Sequence, residues 1–395
     1  MKFSPPDLTE QDRQAVNQVL ESGWITTGPV TAQFEAAIAD WSGTAHAVAT
    51  SSATAALELA LRTLGVGPGD DVLVPAYTYT ASASVVHRVG ARAVLVDSAT
   101  DGYHVTRETL ERALTPATRA VVVVDIGGAP CAYDQIQPWL ESLPAPDSRG
   151  NGILEALGRI PLISDAAHSF GGRYASRPVG SLADFTCYSF HAVKNLTTAE
   201  GGAITWRLPT EIDSARLYQG TRTATLHGQT KDALSKSQAG AWEYDIEHLG
   251  MKCNLTDLQA ALGLSQLGRY ADSLARRAAL AKLYAQHLPA SVGTLSDAPA
   301  QSESTHHLAM VQLSRGTVAD RNALIARLAG RDIPTNVHYK PLPLLTAYRD
   351  LGHRPEDVPN AVGLYEREIT LPLHTLLSDD DVEQVCVALG QEFSR

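Results

Sequence analysis

Four short segments place reactive or hydrogen-bonding side chains where predicted strands end, which is where open α/β sheets bind ligands. The first is the turn Ser51–Thr54, between an apolar run and a helical pattern. The N–H groups and the dipole of a helix favour an anion at such a turn, and Ser51, Ser52 and Thr54 add hydroxyl groups. Taken alone, an ordinary Ser/Thr helix cap is the simpler interpretation.

An aromatic segment follows the next predicted strand. Tyr77 and Tyr79 come soon after the apolar run Asp71–Pro75. An aromatic side chain at the carboxyl end of a strand can stack on a flat ring, although core packing is the simpler explanation of a lone tyrosine. The segment therefore predicts a stacking residue only in combination with the other signals.

Asp165 ends a third apolar run and is followed by Ala166, Ala167 and His168. Because a buried carboxylate is costly without a cation, we expect a partner such as a protonated pyridine nitrogen. Pyridoxal phosphate enzymes place an aspartate at that nitrogen, which keeps the ring an electron sink. The two alanines would leave room for a ring, and His168 could bond a ring substituent. A helix-capping aspartate is the alternative interpretation.

Lys194 lies in a segment poor in other charges, ahead of a Gly-Gly turn. A lysine held among apolar or cationic groups has a lowered pKa and can form a Schiff base. Ser189, five residues earlier, is a candidate donor to a phosphate. A surface lysine is the alternative, but one bound pyridoxal phosphate explains all four segments together better than four unrelated accidents do.

The elements that must position these residues alternate between short apolar runs and helical patterns. Helical patterns include Ala53–Leu64 and Thr106–Ala113. The predicted strands are Ala47–Thr50, Asp71–Pro75, Ala93–Asp97, Ala120–Asp125, Pro161–Asp165, Asp184–Ser189 and Gly202–Trp206. Most are rich in Val, Ile and Leu without strict alternation, as in a sheet covered on both faces. The alternation predicts an α/β fold with a doubly wound, mostly parallel sheet.

The second half of the chain has a different pattern, which predicts a second, smaller α/β domain. We expect a large domain over residues 1–240 and a C-terminal domain over 241–395. Leu143–Gly158, rich in Pro, Gly and Ser, is predicted to form a surface excursion without an assigned role. Four further segments are predicted: an irregular polar stretch (209–248), a helical run (Leu255–Leu288), a loop (Pro289–Ser304) and a final helix (Asp379–Phe393).

The composition excludes several classes of protein. With 44% hydrophobic residues among 395, global disorder is excluded, and a net charge of −11 argues against a nucleic-acid partner. No segment approaches the roughly 20 apolar residues of a membrane-spanning helix, and the start has no signal-peptide pattern. The four scattered cysteines indicate reduced thiols in the cytoplasm and no metal site. The lack of G-x-G-x-x-G after the first strand argues against a dinucleotide.

Several motifs together resemble the nucleotide-sugar aminotransferases of the DegT/StrS family, which are fold type I pyridoxal phosphate enzymes. The most specific motif is GSLADFTCYSFHAVKNLTTAEGGAI (180–204). The others are GWITTGPVTAQFE (23–35), SSATAALELAL (51–61), PAYTYTASA (75–83), DAAHSFGG (165–172), GMKCNLTDLQAALGLSQL (250–267), VHYKPLP (337–343) and LPLHTLLSDDDV (371–382). These segments extend over nearly the whole chain.

The resemblance implies a role for each matching residue. Lys194 would carry the cofactor and transfer protons, Asp165 would pair with the pyridine nitrogen, and His168 would approach the ring hydroxyl. Tyr79 would stack on the ring. The phosphate would be held by Ala53, Thr54, Ser189 and, from the partner chain of a homodimer, Asn254. The sugar nucleotide would face Thr26, Thr27, His338 and Lys340. Ala53 is a departure, because the family often has glycine there.

The implied reaction moves an amino group from an amino acid, expected to be L-glutamate, to a nucleotide-linked ketosugar. The sequence of residues 250–257 is more similar to that of relatives that aminate carbon 4 of 4-keto-6-deoxy sugars than to that of relatives that aminate carbon 3. Lys194 favours transamination, since relatives with histidine at that position are dehydratases. Three alternatives stay open: an inositol-type aminotransferase, a sugar dehydratase, and a regulatory protein that binds the cofactor without turnover.

Overall fold

The computed structural model describes residues 1–231, 242–295 and 298–393. The strands are β1 (Ala47–Thr50), β2 (Asp71–Pro75), β3 (Arg92–Val96), β4 (Thr118–Val124), β5 (Leu162–Asp165), β6 (Arg173–Tyr174), β7 (Arg177–Pro178), β8 (Phe185–Ser189), β9 (Gly202–Trp206), β10 (Val292–Thr294), β11 (Ser302–Glu303), β12 (Ala309–Leu313) and β13 (Glu368–Leu371).

The α-helices, numbered over the described residues, are α1 (Glu10–Ser22), α2 (Pro29–Ser42), α3 (Ala53–Thr63), α4 (Ala81–Arg88), α5 (Arg107–Ala113), α6 (Tyr133–Glu141), α7 (Gly152–Leu157), α8 (Ser214–Ala224), α9 (Asp257–Leu267), α10 (Tyr270–His287), α11 (Val318–Ala329), α12 (Thr346–Asp350), α13 (Pro359–Arg367) and α14 (Asp379–Phe393). No helix among these residues is both long and apolar enough to cross a membrane.

The large sheet has seven strands in the order β1-β9-β8-β5-β4-β2-β3. Strands β8, β5, β4, β2 and β3 run parallel, and β9 runs antiparallel to both of its neighbours. Both faces are covered, because Leu73 packs into the core on one side while Val72 and Val74 pack into the core on the other. Each predicted strand forms, and the predicted α/β fold with a mostly parallel sheet is confirmed.

A second, antiparallel sheet, β10-β12-β13, packs with α10, α11 and α14 around a separate apolar core. The predicted boundary at residue 240 lies outside the described residues and stays a prediction. The predicted helical run Leu255–Leu288 is wrong in one respect, because it divides into α9 and α10. Leu267 of α9 belongs to the core of the large sheet, whereas Leu280 and Tyr284 of α10 belong to the second core. The break redirects the chain from one core to the other.

Three segments predicted to be irregular contain regular structure. The polar stretch 209–248 includes α8, and the loop Pro289–Ser304 includes the short strands β10 and β11. The expected excursion Leu143–Gly158 includes α7, whose Leu154 is buried in the large-sheet core. Arg149 forms a 2.7 Å ion pair with the buried Asp70, next to the start of β2. This excursion is therefore docked on the end of the sheet where β2 begins, opposite the strand ends that carry the predicted site.

Candidate active site

The turn before α3 offers two backbone donors to an anion. Ser52 is the N-cap, and its hydroxyl accepts a hydrogen bond from the N–H of Ala55 at 3.2 Å. The N–H groups of Ala53 and Thr54 have no acceptor among the residues that the structure describes. Gly202 of β9 lies so close that a Cβ there would meet the backbone of this turn at 2.4 Å. The hydroxyl of Ser52 thus caps the helix, and the next two N–H groups remain available.

Asp165 lies at the end of β5 in the middle of the sheet and is 5% exposed. Its carboxylate accepts hydrogen bonds from the Ser82 hydroxyl at 2.6 Å and from the N–H of Ala167 at 3.2 Å. Burial raises the pKa of Asp165, and these two hydrogen bonds and the charge of Lys194 act in the opposite direction. The carboxylate is held in place for a cation.

Lys194 is in the loop between β8 and β9. Burial lowers the pKa of Lys194 to about 8, while the nearby Asp165 carboxylate acts to raise it. The loop is closed by the bond from the N–H of Thr198 to the carbonyl of Phe190 at 2.9 Å. A lysine with this pKa has a substantial neutral fraction near neutral pH and can act as a nucleophile toward an aldehyde.

His168 has both ring nitrogens in hydrogen bonds. Its Nδ1 accepts from the N–H of Gly127 at 3.1 Å, and its Nε2 lies 3.1 Å from the hydroxyl of Tyr339. Burial holds the pKa of His168 well below its usual value, with smaller contributions from Lys194 and His338. The imidazole is therefore neutral.

His307 joins the lysine loop to His168. The Nδ1 of His307 lies 2.9 Å from Oδ1 of Asn195, the residue after Lys194. The ring of His307 lies 4.4 Å from that of His168, between ring centroids. The amide nitrogen of Asn195 donates to the carbonyl of Thr305 at 2.9 Å. Residues 305–307 thus fix the lysine loop against the end of β5.

The remaining predicted residues around Lys194 lie at the same end of the sheet with different exposures. The Tyr79 side chain is 62% exposed, and its ring lies 6.2 Å from that of Tyr339. Ser189 ends β8 and is half-buried. The Nδ1 of His338 lies 2.9 Å from the Thr370 hydroxyl, and burial together with Lys194 lowers the pKa of His338 to about 4. Lys340 is exposed.

Thr26, Thr27 and Asn254 form a second polar group beside the anion turn. The amide of Asn254 donates to the Thr27 hydroxyl at 2.6 Å, and the carbonyl of Thr26 accepts from the N–H of Asp257 at 3.1 Å. Asn254 also pairs with Thr50, the last residue of β1. The buried Asp257 carboxylate accepts from the N–H of Gly28 and from the N–H and hydroxyl of Thr31. The loop before α2 is therefore fixed to the start of α9.

Three residues of the site were not predicted from the sequence. Ser82 bonds Asp165, Tyr339 bonds His168, and His307 packs on His168. The first two lie inside the quoted motifs 75–83 and 337–343, so a closer inspection of those motifs could have found them. His307 carried only the weak signal of a His-His pair.

The arrangement fits a ring with a cationic nitrogen, an aldehyde and a phosphate. A buried carboxylate, a lysine with a lowered pKa and a turn with two available N–H groups lie at the carboxyl ends of β5, β8 and β1, at one end of the large sheet. These are the groups that pyridoxal phosphate requires. Among the described residues, no group of three or more His, Cys, Asp or Glu side chains is placed to hold a metal ion.

Comparisons with known proteins agree with this chemistry. The spore coat polysaccharide biosynthesis protein SpsC of Bacillus subtilis is 36% identical over 98% of this chain and 96% of its own length. The PMP form of the sugar aminotransferase Spr1654 of Streptococcus pneumoniae, described as putative, superposes with a TM-score of 0.95 at 44% identity, over 100% of this chain and 99% of that one. Its PLP form gives 0.95 at 42%, over 100% and 98%.

A more distant relative has the same architecture. The aminotransferase PseC of Helicobacter pylori, involved in pseudoaminic acid biosynthesis, has a TM-score of 0.84 at 25% identity, over 100% of this chain and 99% of that one. The model of the DegT/DnrJ/EryC1/StrS aminotransferase family matches residues 6–390. Because that match includes all thirteen strands among the described residues and every residue of the candidate site, the chain belongs to the DegT/DnrJ/EryC1/StrS aminotransferase family.

Proposed function

We propose that this protein is a pyridoxal phosphate-dependent sugar aminotransferase that moves an amino group from L-glutamate to a nucleotide-linked ketosugar. The observation that carries the proposal is the pairing of the buried Asp165 with the half-buried Lys194, whose charges influence each other at the strand ends. The relatives support the class of reaction, since one is a sugar aminotransferase solved in PLP and PMP forms. For the acceptor we propose carbon 4 of a 4-keto-6-deoxy sugar.

Pyridoxal phosphate, when bound, supplies an aldehyde and an electron-withdrawing ring. Asp165 would keep a ring nitrogen protonated by ion pairing, which its fixed hydrogen bonds to Ser82 and Ala167 favour. The Nζ of Lys194 would bind the aldehyde carbon and, once released, would take a proton from the donor and return it to the sugar carbon. A pKa of about 8 suits both roles, because it lies near the working pH.

The phosphate would bind at the start of α3. The N–H groups of Ala53 and Thr54 and the hydroxyl of Ser189 would donate to it, and the helix dipole would favour its negative charge. Tyr79 would cover the exposed face of the ring, which its 62% exposure permits. We assign the sugar nucleotide to the side of the site with His338, Lys340 and the loop of Thr26 and Thr27.

We further propose that the working form is a homodimer in which Asn254 serves the partner's phosphate. The segment before Asn254 presents apolar side chains to solvent: Trp242 is 78% exposed and Leu249 is 99% exposed. Exposed apolar groups this large are typical of surfaces that bind another protein. Light scattering of the purified protein should give twice the mass of one chain, and a monomer at working concentration would refute this assignment.

The test of the reaction is a coupled assay. The protein, pyridoxal phosphate, L-glutamate and a nucleotide-linked 4-keto-6-deoxy sugar should form 2-oxoglutarate and an amino sugar in equal amounts. Lys194→Ala should abolish both products, and unchanged turnover would refute the mechanism. Sugar consumed without 2-oxoglutarate would favour the dehydratase, and turnover of a keto-inositol alone would favour the inositol-type enzyme.

A further inference from the structure

The hydrogen bonds around His168 determine which of its nitrogens carries the proton. Nδ1 accepts from the N–H of Gly127 at 3.1 Å, so Nδ1 has no proton. Because the ring is neutral, its one proton is on Nε2. Nε2 lies 3.1 Å from the hydroxyl of Tyr339, and its N–H must therefore donate to that oxygen.

With this assignment, the proton of the Tyr339 hydroxyl has no hydrogen-bond acceptor among the described residues. A phenol has one proton and can accept as well as donate. Among the residues that the structure describes, the hydroxyl of Tyr339 has His168 as its one hydrogen-bond partner, and in that bond it accepts. Tyr339 is half-buried, and a hydroxyl proton that has no acceptor among the described residues is available to a ligand bound in the site.

The direction of that proton follows from the neighbours of Tyr339. Its ring lies 6.2 Å from Tyr79 and nearly parallel to His168. Burial, with a smaller contribution from the charge of Asp165, raises the pKa of Tyr339 well above its usual value, so the hydroxyl stays protonated. Tyr79, Asp165 and His168 together surround the space that the cofactor ring would occupy.

We propose that the Tyr339 hydroxyl donates a hydrogen bond to the ring oxygen of bound pyridoxal phosphate. The inference rests on the proposed roles of Asp165 and Lys194. Both nitrogens of His168 are already engaged, so Tyr339 is the group with a proton to give. The bond favours the anionic form of the ring oxygen, because a donor stabilises the charged state of its acceptor.

The experiment is a pH titration of the visible absorbance of the protein loaded with pyridoxal phosphate, from pH 5.5 to 9.5. Tyr339→Phe should raise the titration midpoint by about one pH unit, since the ring oxygen and the adjacent lysine-bound nitrogen then hold their shared proton more tightly. The dissociation constant of the cofactor should rise about tenfold, as expected for one lost hydrogen bond to a charged oxygen.

Tyr77→Phe is the matched control. It also removes a phenol hydroxyl, one that donates to the carbonyl of His338 at 2.8 Å, in the segment that carries Tyr339. Its midpoint should equal that of the unmodified protein. An unchanged midpoint in Tyr339→Phe would overturn the proposal and return the role to His168, and equal shifts in both variants would overturn it as well. A visible band that persists in Lys194→Ala would instead refute the assignment of the lysine.

Discussion

The lowered pKa of Lys194 predicts how fast the cofactor-free protein takes up pyridoxal phosphate at each pH. Burial lowers the pKa of Lys194 from 10.5 to about 8. At pH 7 about one lysine in ten is then neutral, against roughly three in ten thousand for an ordinary lysine. The neutral amine is the nucleophile. Uptake at pH 7 should therefore be about 300 times faster than it would be if Lys194 had the pKa of free lysine.

The assay follows the absorbance of the bound cofactor after rapid mixing, at a series of pH values. The rate should rise with pH and level off above about pH 8, the pKa of Lys194. A short lysine peptide under the same conditions should continue to gain rate toward pH 10. A rate for the protein that also rises without a plateau to pH 10 would refute the argument that burial activates this lysine.

Replacing the neighbouring carboxylate tests the sign of the electrostatic effect. The charge of Asp165 acts to raise the pKa of Lys194, so Asp165→Asn should move the midpoint below pH 8. An effect of about one pH unit is expected for one nearby opposite charge. Asp101→Asn removes an exposed carboxylate elsewhere and is the control for net charge. A midpoint that rises in Asp165→Asn would contradict the proposed pairing.

Three further predictions concern the anion turn, the loop before α2 and the opposite end of the large sheet. Gly202→Ala should weaken the binding of both inorganic phosphate and cofactor, measured by calorimetry, because a Cβ there would lie 2.4 Å from the backbone of the anion turn; Gly293→Ala, with nothing within 4 Å, is the control. Asp257→Ala should lower the free energy of unfolding in urea by about 2–3 kcal/mol, since several buried donors lose a charged acceptor; a loss below about 0.5 kcal/mol would refute that role. Arg149→Ala removes a half-exposed partner of a buried aspartate and should cost about 1 kcal/mol in the same assay without changing the affinity for cofactor.

The chemistry of the site and the class of fold could be predicted from the sequence because both depend on local patterns. Runs such as Asp71–Pro75 are apolar throughout, and a run of that kind becomes a strand covered on both faces. Asp165 and Lys194 were identifiable because each is a charged residue in a segment otherwise poor in charge. The weakly patterned strands β10 and β11 were not predicted, since elements of two or three residues carry no detectable periodicity.

The contacts between these groups are decided by the tertiary structure. Ser82 and Asp165 are 83 residues apart, and Tyr339 and His168 are 171 apart, yet each pair forms a hydrogen bond. No sequence window includes both members of such a pair. They meet because the order of the strands and the packing of the second sheet bring their segments to one end of the large sheet. The sequence by itself therefore determined which functional groups are present and on which elements they lie, while the burial and distances that set their pKa values and hydrogen bonds arise only when those elements pack together.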